Sequence, residues 1–163
     1  MTEHAVAQVE RHILDSAHRA LARLLLRVGT TSELAVTLRG AELESLMAQL
    51  ADELEATLLP HLAWEEQVCY PAADALAGTP WATRALRIQH EELRERLSAL
   101  RLAGARTGEE SPGRDGSVVR GHLAGLHALL ASHIEQEEHA LLGLLIEPAP
   151  PTGGPGKRPD SLP

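Results

Sequence analysis

A chain of 163 residues is long enough to bury a hydrophobic core in one domain, and its formal net charge of −8, with fifteen scattered lysines and arginines, leaves no basic stripe for nucleic acid. A single cysteine, Cys69, excludes an internal disulfide, a four-cysteine zinc site and a cysteine-ligated iron–sulfur cluster, and reads as a small core residue. No apolar run reaches the roughly 18 residues of a membrane span, and the N-terminus lacks a basic-then-apolar signal layout, so the expectation is a cytoplasmic protein without a membrane partner.

Strand formers are scarce, with no Phe, one Tyr and two Trp, which predicts an all-α fold. The first helix is expected over about residues 3–28, with Leu14, Leu21, Leu25 and Val28 forming a stripe that contains His18, and Gly29 ending it. Residues 29–39 fit no template. The second helix starts near Gly40 and carries Leu43, Leu46, Met47, Leu50 and Leu54 towards Pro60, whose missing N–H predicts a kink just before His61. Pro71 is a second interruption and Gly78 closes the segment. Thr79 followed by Pro80 predicts a capped start for a third helix over about 80–103, with Leu86, His90, Leu93, Leu97 and Leu100 facing inward. Gly, Ser and Pro at 104–116 mark a surface loop. The fourth helix is expected from near Ser117 to about Ile146, and the Pro- and Gly-rich residues 147–163 form a disordered tail. Four amphipathic helices with short loops pack as an antiparallel up-down-up-down four-helix bundle over residues 1–146.

Inside that bundle His61 and Glu65 lie about 40° apart on one helical face, and His133 and Glu137 repeat the arrangement. The spacing alone is common. Position gives it weight, because His18, His61, His90 and His133 place one imidazole from each helix among leucines. Unpaired, those groups and two carboxylates would cost several kcal/mol in a core, and a cation resolves that cost. Counting along the helices puts His61, His90 and His133 on one level, whereas His18 matches only if residues 30–39 continue a helix; otherwise His12 replaces it. His127 and His139 sit on another face from His133, His122 lies about three turns away, and His4 is near the chain end. Four imidazoles and two carboxylates exceed a structural zinc site and suit two iron ions, with manganese or zinc less favoured. The ferritin-type Glu-x-x-His and the protease His-Glu-x-x-His are both absent.

The stretches LLPHLAWEEQVCYPAAD and LASHIEQEEHALLGLL, with ILDSAHRALARLLL and RIQHEELRERL, resemble the hemerythrin-like, HHE cation-binding family. The resemblance implies a hemerythrin-like bundle in which His18, His61, His90 and His133 bind two non-haem irons and Glu65 and Glu137 bridge them. Oxygen-carrying members have a second histidine where Arg94 stands, which implies one iron with a ligand fewer. The expected function is a diiron protein that binds or senses O2, a related diatomic or peroxide ligand, or iron. Alternatives are a diiron enzyme that decomposes peroxide or reduces NO, and a metal-free helical interaction module. Arg94 is expected to pair with a nearby glutamate, or else to stabilise an anionic adduct.

Overall fold

The computed structural model describes residues 3–106 and 115–146, with side chains placed at 16–106 and 116–139. The chain is helical throughout: α1 (Glu3–Leu34), α2 (Gly40–Trp64), a π-helical turn (Glu65–Cys69), α3 (Tyr70–Ala77), α4 (Arg84–Ala105) and α5 (Asp115–Ile146). No strand occurs among the described residues. The side chains of His4, His12, Leu14, Leu141 and Leu144, most of the expected 104–116 loop and the expected tail lie outside them.

Helix α1 does not stop at Gly29. Among the described residues only Gly40 and Gly78 take positive φ, so Gly29 supplies no left-handed cap, and burial of Thr31 and Ala35 extends the stripe begun by Leu21 and Val28. The helix ends where Thr37 and Leu38 both turn back onto the Leu34 carbonyl. This extension brings His18 level with the other three histidines.

Leu21, Leu24 and Val28 of α1, six residues of α2 from Leu43 to Leu62, Leu93, Leu97 and Leu100 of α4, and Val119, Leu123, Leu126 and Leu130 of α5 form one apolar core. Each fully buried leucine is worth about 1.5–3 kcal/mol relative to exposure, so the core, not helix propensity, holds the bundle. α1 packs on α2 and α5, and α4 packs on the same two, giving the cyclic order α1, α2, α4, α5. Short connections at 35–39 and 78–83 make neighbours antiparallel, which is the four-helix bundle expected. No helix among the described residues is long and apolar enough to cross a membrane.

The second rod is composite. Pro60 lies inside an unbroken α2, and the departure from α geometry comes later, where the Tyr70 N–H reaches the Glu65 carbonyl across the π turn. Pro71 follows immediately, in the first turn of α3. An α-helix would drive its ring into the Gln67 carbonyl, and the wider turn relieves that clash. Gly78 then caps α3 at φ 67°.

The third rod starts four residues later than its Thr79–Pro80 signal. Residues 79–83 form a turn tied back to α3, because the Asp74 carboxylate accepts from the Thr83 N–H at 3.0 Å and from the Thr83 hydroxyl at 3.1 Å. Thr79 spends its hydroxyl accepting from the Trp81 N–H inside this turn. Arg87 donates to the Thr83 hydroxyl and lies over the Tyr70 ring, 5.2 Å from its centroid.

α2 and α4 approach closely at Gly104, where an added Cβ would meet the Met47 Cβ at 2.8 Å. Gly104→Ala should destabilise the protein by about 1–3 kcal/mol through overpacking, despite about 1 kcal/mol gained in helix propensity. Gly121 of α5 has open space around it, so Gly121→Ala should instead stabilise by about 0.5–1 kcal/mol. Urea midpoints of the two variants moving in the same direction would refute this packing.

Candidate metal centre

Midway along the bundle the four rods contribute His18, His61, Glu65, His90, His133 and Glu137, all buried among leucines. Helical spacing explains the surroundings: Leu21, Leu58, Leu93 and Leu130 each lie three residues from one of the histidines and are buried on the same face. The six side chains fall into two groups. His18, His61, Glu65 and Glu137 form one, and Glu65, His90, His133 and Glu137 form the other; within each, the candidate ligand atoms lie within 4.8 Å of one another.

The two carboxylates belong to both groups. Glu65 Oε1 lies 2.9 Å from His61 Nε2 and 4.0 Å from His18 Nε2, while its Oε2 lies 3.3 Å from His90 Nε2 and 3.9 Å from His133 Nε2. Glu137 Oε2 stands between His18 Nε2 at 3.3 Å and His133 Nε2 at 3.5 Å. The His18 and His61 rings are 5.6 Å apart edge to face, and His90 and His133 4.8 Å.

These approaches do not have hydrogen-bond geometry. Nε2 of His18, His61 and His133, both oxygens of Glu65 and Oε2 of Glu137 are buried without a hydrogen-bond partner. Such orphans cost about 1–3 kcal/mol each, and six of them gathered in two adjoining groups are the signature of a donor set built for cations. The donors are nitrogen and oxygen only. Cys69 is buried instead in a separate cluster with Tyr70, Ala73 and Leu86, consistent with a core role.

Electrostatics fit the same picture. Burial pulls His61 and His133 down to about 4, so both are neutral at physiological pH, the form that binds metals. Burial and the facing Glu137 push Glu65 up to about 8. Burial acts on Glu137 too, but His18, His133 and Tyr70 outweigh it and bring that carboxyl down to about 2. Two adjacent buried carboxylates therefore hold one proton between them when no cation is present. His18 is drawn below its ordinary value by burial, yet Glu137, Glu65 and Glu138 together raise it above.

Three residues of the site had no individual signal in the spacing of histidines. Tyr70 is fully buried, donates to Glu137 Oε1 at 2.5 Å and lies 2.7 Å from His90 Nε2. Burial, with Glu137 and Glu65 nearby, raises its hydroxyl far above the usual phenol range. Continued α geometry would turn residue 70 about 140° from Glu65; the π turn brings it round to the same side. Glu66 accepts from His90 Nδ1 at 2.8 Å and receives Arg94 through both its oxygens, at 2.9 and 3.0 Å. Arg94 thus pairs with a glutamate and faces away from an adduct-stabilising role. Gln89 Oε1 lies 3.3 Å from His133 Nδ1.

The chain matches the family model described as Hemerythrin HHE cation binding domain over residues 9–145. No curated protein and no solved structure matches it significantly. A match over most of the chain, on a four-helix bundle with a buried His/Glu donor cluster suited to metal, places this protein in the hemerythrin HHE cation-binding domain family.

Proposed function

We propose that residues 1–146 form a non-haem diiron domain that binds or senses O2 or a related small molecule, with His18 and His61 on one iron, His90 and His133 on the other, and Glu65 and Glu137 bridging. The observation that carries this reading is the division of Glu65, one oxygen facing each histidine pair. Nitrogen and oxygen donors without sulfur favour iron, with manganese or zinc as weaker candidates. Two adjacent redox-active ions supply one electron each to a small ligand. The residues do the rest: four imidazoles and two carboxylates fix the donors, and the surrounding leucines keep out water.

One observation favours an enzymatic alternative, in which the centre turns over peroxide or NO. Tyr70 Oη holds a proton between Glu137 Oε1 and His90 Nε2, inside the donor cluster. That proton is placed where a reduced ligand could take it up during turnover. Catalytic consumption of hydrogen peroxide that Tyr70→Phe slows by tenfold or more, with iron content unchanged, would support turnover; stoichiometric oxidation insensitive to that variant would support binding or sensing.

Protein purified from iron-supplemented cells should contain about two irons per chain, and Glu65→Ala, which removes the side chain common to both histidine pairs, should lose most of both. One zinc per chain, or iron retained in Glu65→Ala, would overturn the diiron assignment.

The metal-free protein should also show a stability maximum near pH 6.5. Below it, unfolded histidines bind protons that buried His61 and His133 refuse down to about pH 4, so stability falls with acid. Above it, folded Glu65 keeps a proton up to about pH 8 that the unfolded carboxyl has already lost, and raised His18 acts in the same sense, so stability falls with base. A bound cation replaces those protons, so the melting-temperature gap between iron-loaded and chelator-treated protein should widen from pH 6.5 to 8. A gap that narrows with rising pH would contradict it.

A further inference from the structure

The two halves of the centre have the same donor count but differ in what stands behind the imidazoles. His90 is fully buried, and its Nδ1 meets Glu66 Oε1 at 2.8 Å. Glu66 is itself gripped from the far side by both terminal nitrogens of Arg94, a bidentate pair whose planar fork fixes the carboxylate in place. An ionised carboxylate can only accept, so the proton of that contact sits on His90 Nδ1, and Nε2, 2.7 Å from the Tyr70 hydroxyl and 3.3 Å from Glu65 Oε2, is the nitrogen turned to the centre. No other imidazole of the centre shows a buried carboxylate clamp of this kind, neither His133 in the same half nor His18 in the other. His133 Nδ1 faces the neutral amide oxygen of Gln89 at 3.3 Å, and His18 Nδ1 comes only within 3.8 Å of the exposed Glu138 carboxylate, beyond hydrogen-bonding distance.

Chain geometry explains why the clamp forms. Arg94 follows His90 by four residues on α4, so the two side chains stack on one face, and Glu66 follows Glu65 at the start of the π turn and projects towards that face. A carboxylate behind a metal-binding imidazole fixes ring orientation and raises its basicity, and losing such a partner weakens metal binding by about 10–100-fold.

Building on the diiron reading, we propose that Glu66 and Arg94 are positioning residues that clamp His90 and make the His90/His133 half the tighter of the two metal positions, so that the ions load in sequence. Arg94 acts through Glu66 and does not touch the ligands of the centre.

Equilibrium titration of the chelator-treated protein with Co(II) alone, followed by calorimetry and by the visible cobalt spectrum, tests this. The wild-type chain should bind two ions in two resolved steps. Glu66→Ala should weaken the tighter step by about 10–100-fold and move its spectrum, while the weaker step changes by less than about threefold. Glu66→Gln, which keeps an acceptor but no charge, should fall between, and Arg94→Ala should shift the same step by a smaller factor. Both residues are partly exposed, and far-UV circular dichroism checks that the variants fold; should Glu66→Ala not fold, Arg94→Ala carries the test. Two equal steps in the wild type, or equal weakening of both steps in the variants, overturns the clamp and leaves the diiron reading standing. A wild-type chain that binds no cobalt overturns the diiron reading itself.

Discussion

Two carboxylates share the centre of this bundle, and no leucine can neutralise them. Two unit charges about 4 Å apart repel by about 4 kcal/mol at an effective dielectric of 20, so Glu65 and Glu137 cannot both ionise without a compensating cation. In the metal-free protein a proton on Glu65 and the raised proton affinity of His18 beside Glu137 provide that compensation incompletely, since six ligand-type atoms stay unpartnered. A cation satisfies all of them at once. The same burial that makes the metal-free centre costly also keeps His61 and His133 neutral, which is the state a cation needs. Donor strength and metal-free instability are therefore two consequences of a single placement of polar groups in a dry core.

The π turn at Glu65–Cys69 makes that placement possible in the second rod. One extra residue in the turn does three things. It frees Pro71 from a clash with the Gln67 carbonyl, it turns Tyr70 inward where its hydroxyl reaches His90 and Glu137, and it leaves Cys69 in the neighbouring apolar cluster instead of the donor set. Arg87 over the Tyr70 ring, tied through Thr83 and Asp74 to the turn at 79–83, then supports Tyr70 from outside the bundle. Local irregularity in one helix is thus coupled to the packing of the next.

Much of this was legible in the residues. Leucines at i, i+3 and i+4 give four rods, and a histidine from each falls on the buried stripe, because period and burial are both encoded in side-chain type. Local propensity misled at two points. Gly29 reads as a stop, but tertiary burial of Thr31 and Ala35 carries the helix on; Thr79–Pro80 reads as a start, but Asp74 captures Thr83 and delays it. Tyr70 and Glu66 were invisible because a 3.6-residue period cannot anticipate an inserted π turn. Pro71 eleven residues after Pro60 was the available hint, since a proline in mid-rod demands some relaxation of the ladder before it.

Arg94 bears on the proposed centre without being one of its donors. In the proposed centre each ion has two imidazoles and a share in two carboxylates, so neither half is short of a ligand relative to the other. Inequality enters from behind, where Glu66 backs His90. A guanidinium that once would have been judged a lost ligand instead polarises a carboxylate, which polarises an imidazole. On the proposed reading the asymmetry lies one contact out from the donors, where it would tune one position without occupying a coordination site. A small ligand bound between the two histidine pairs would then meet two unequal positions.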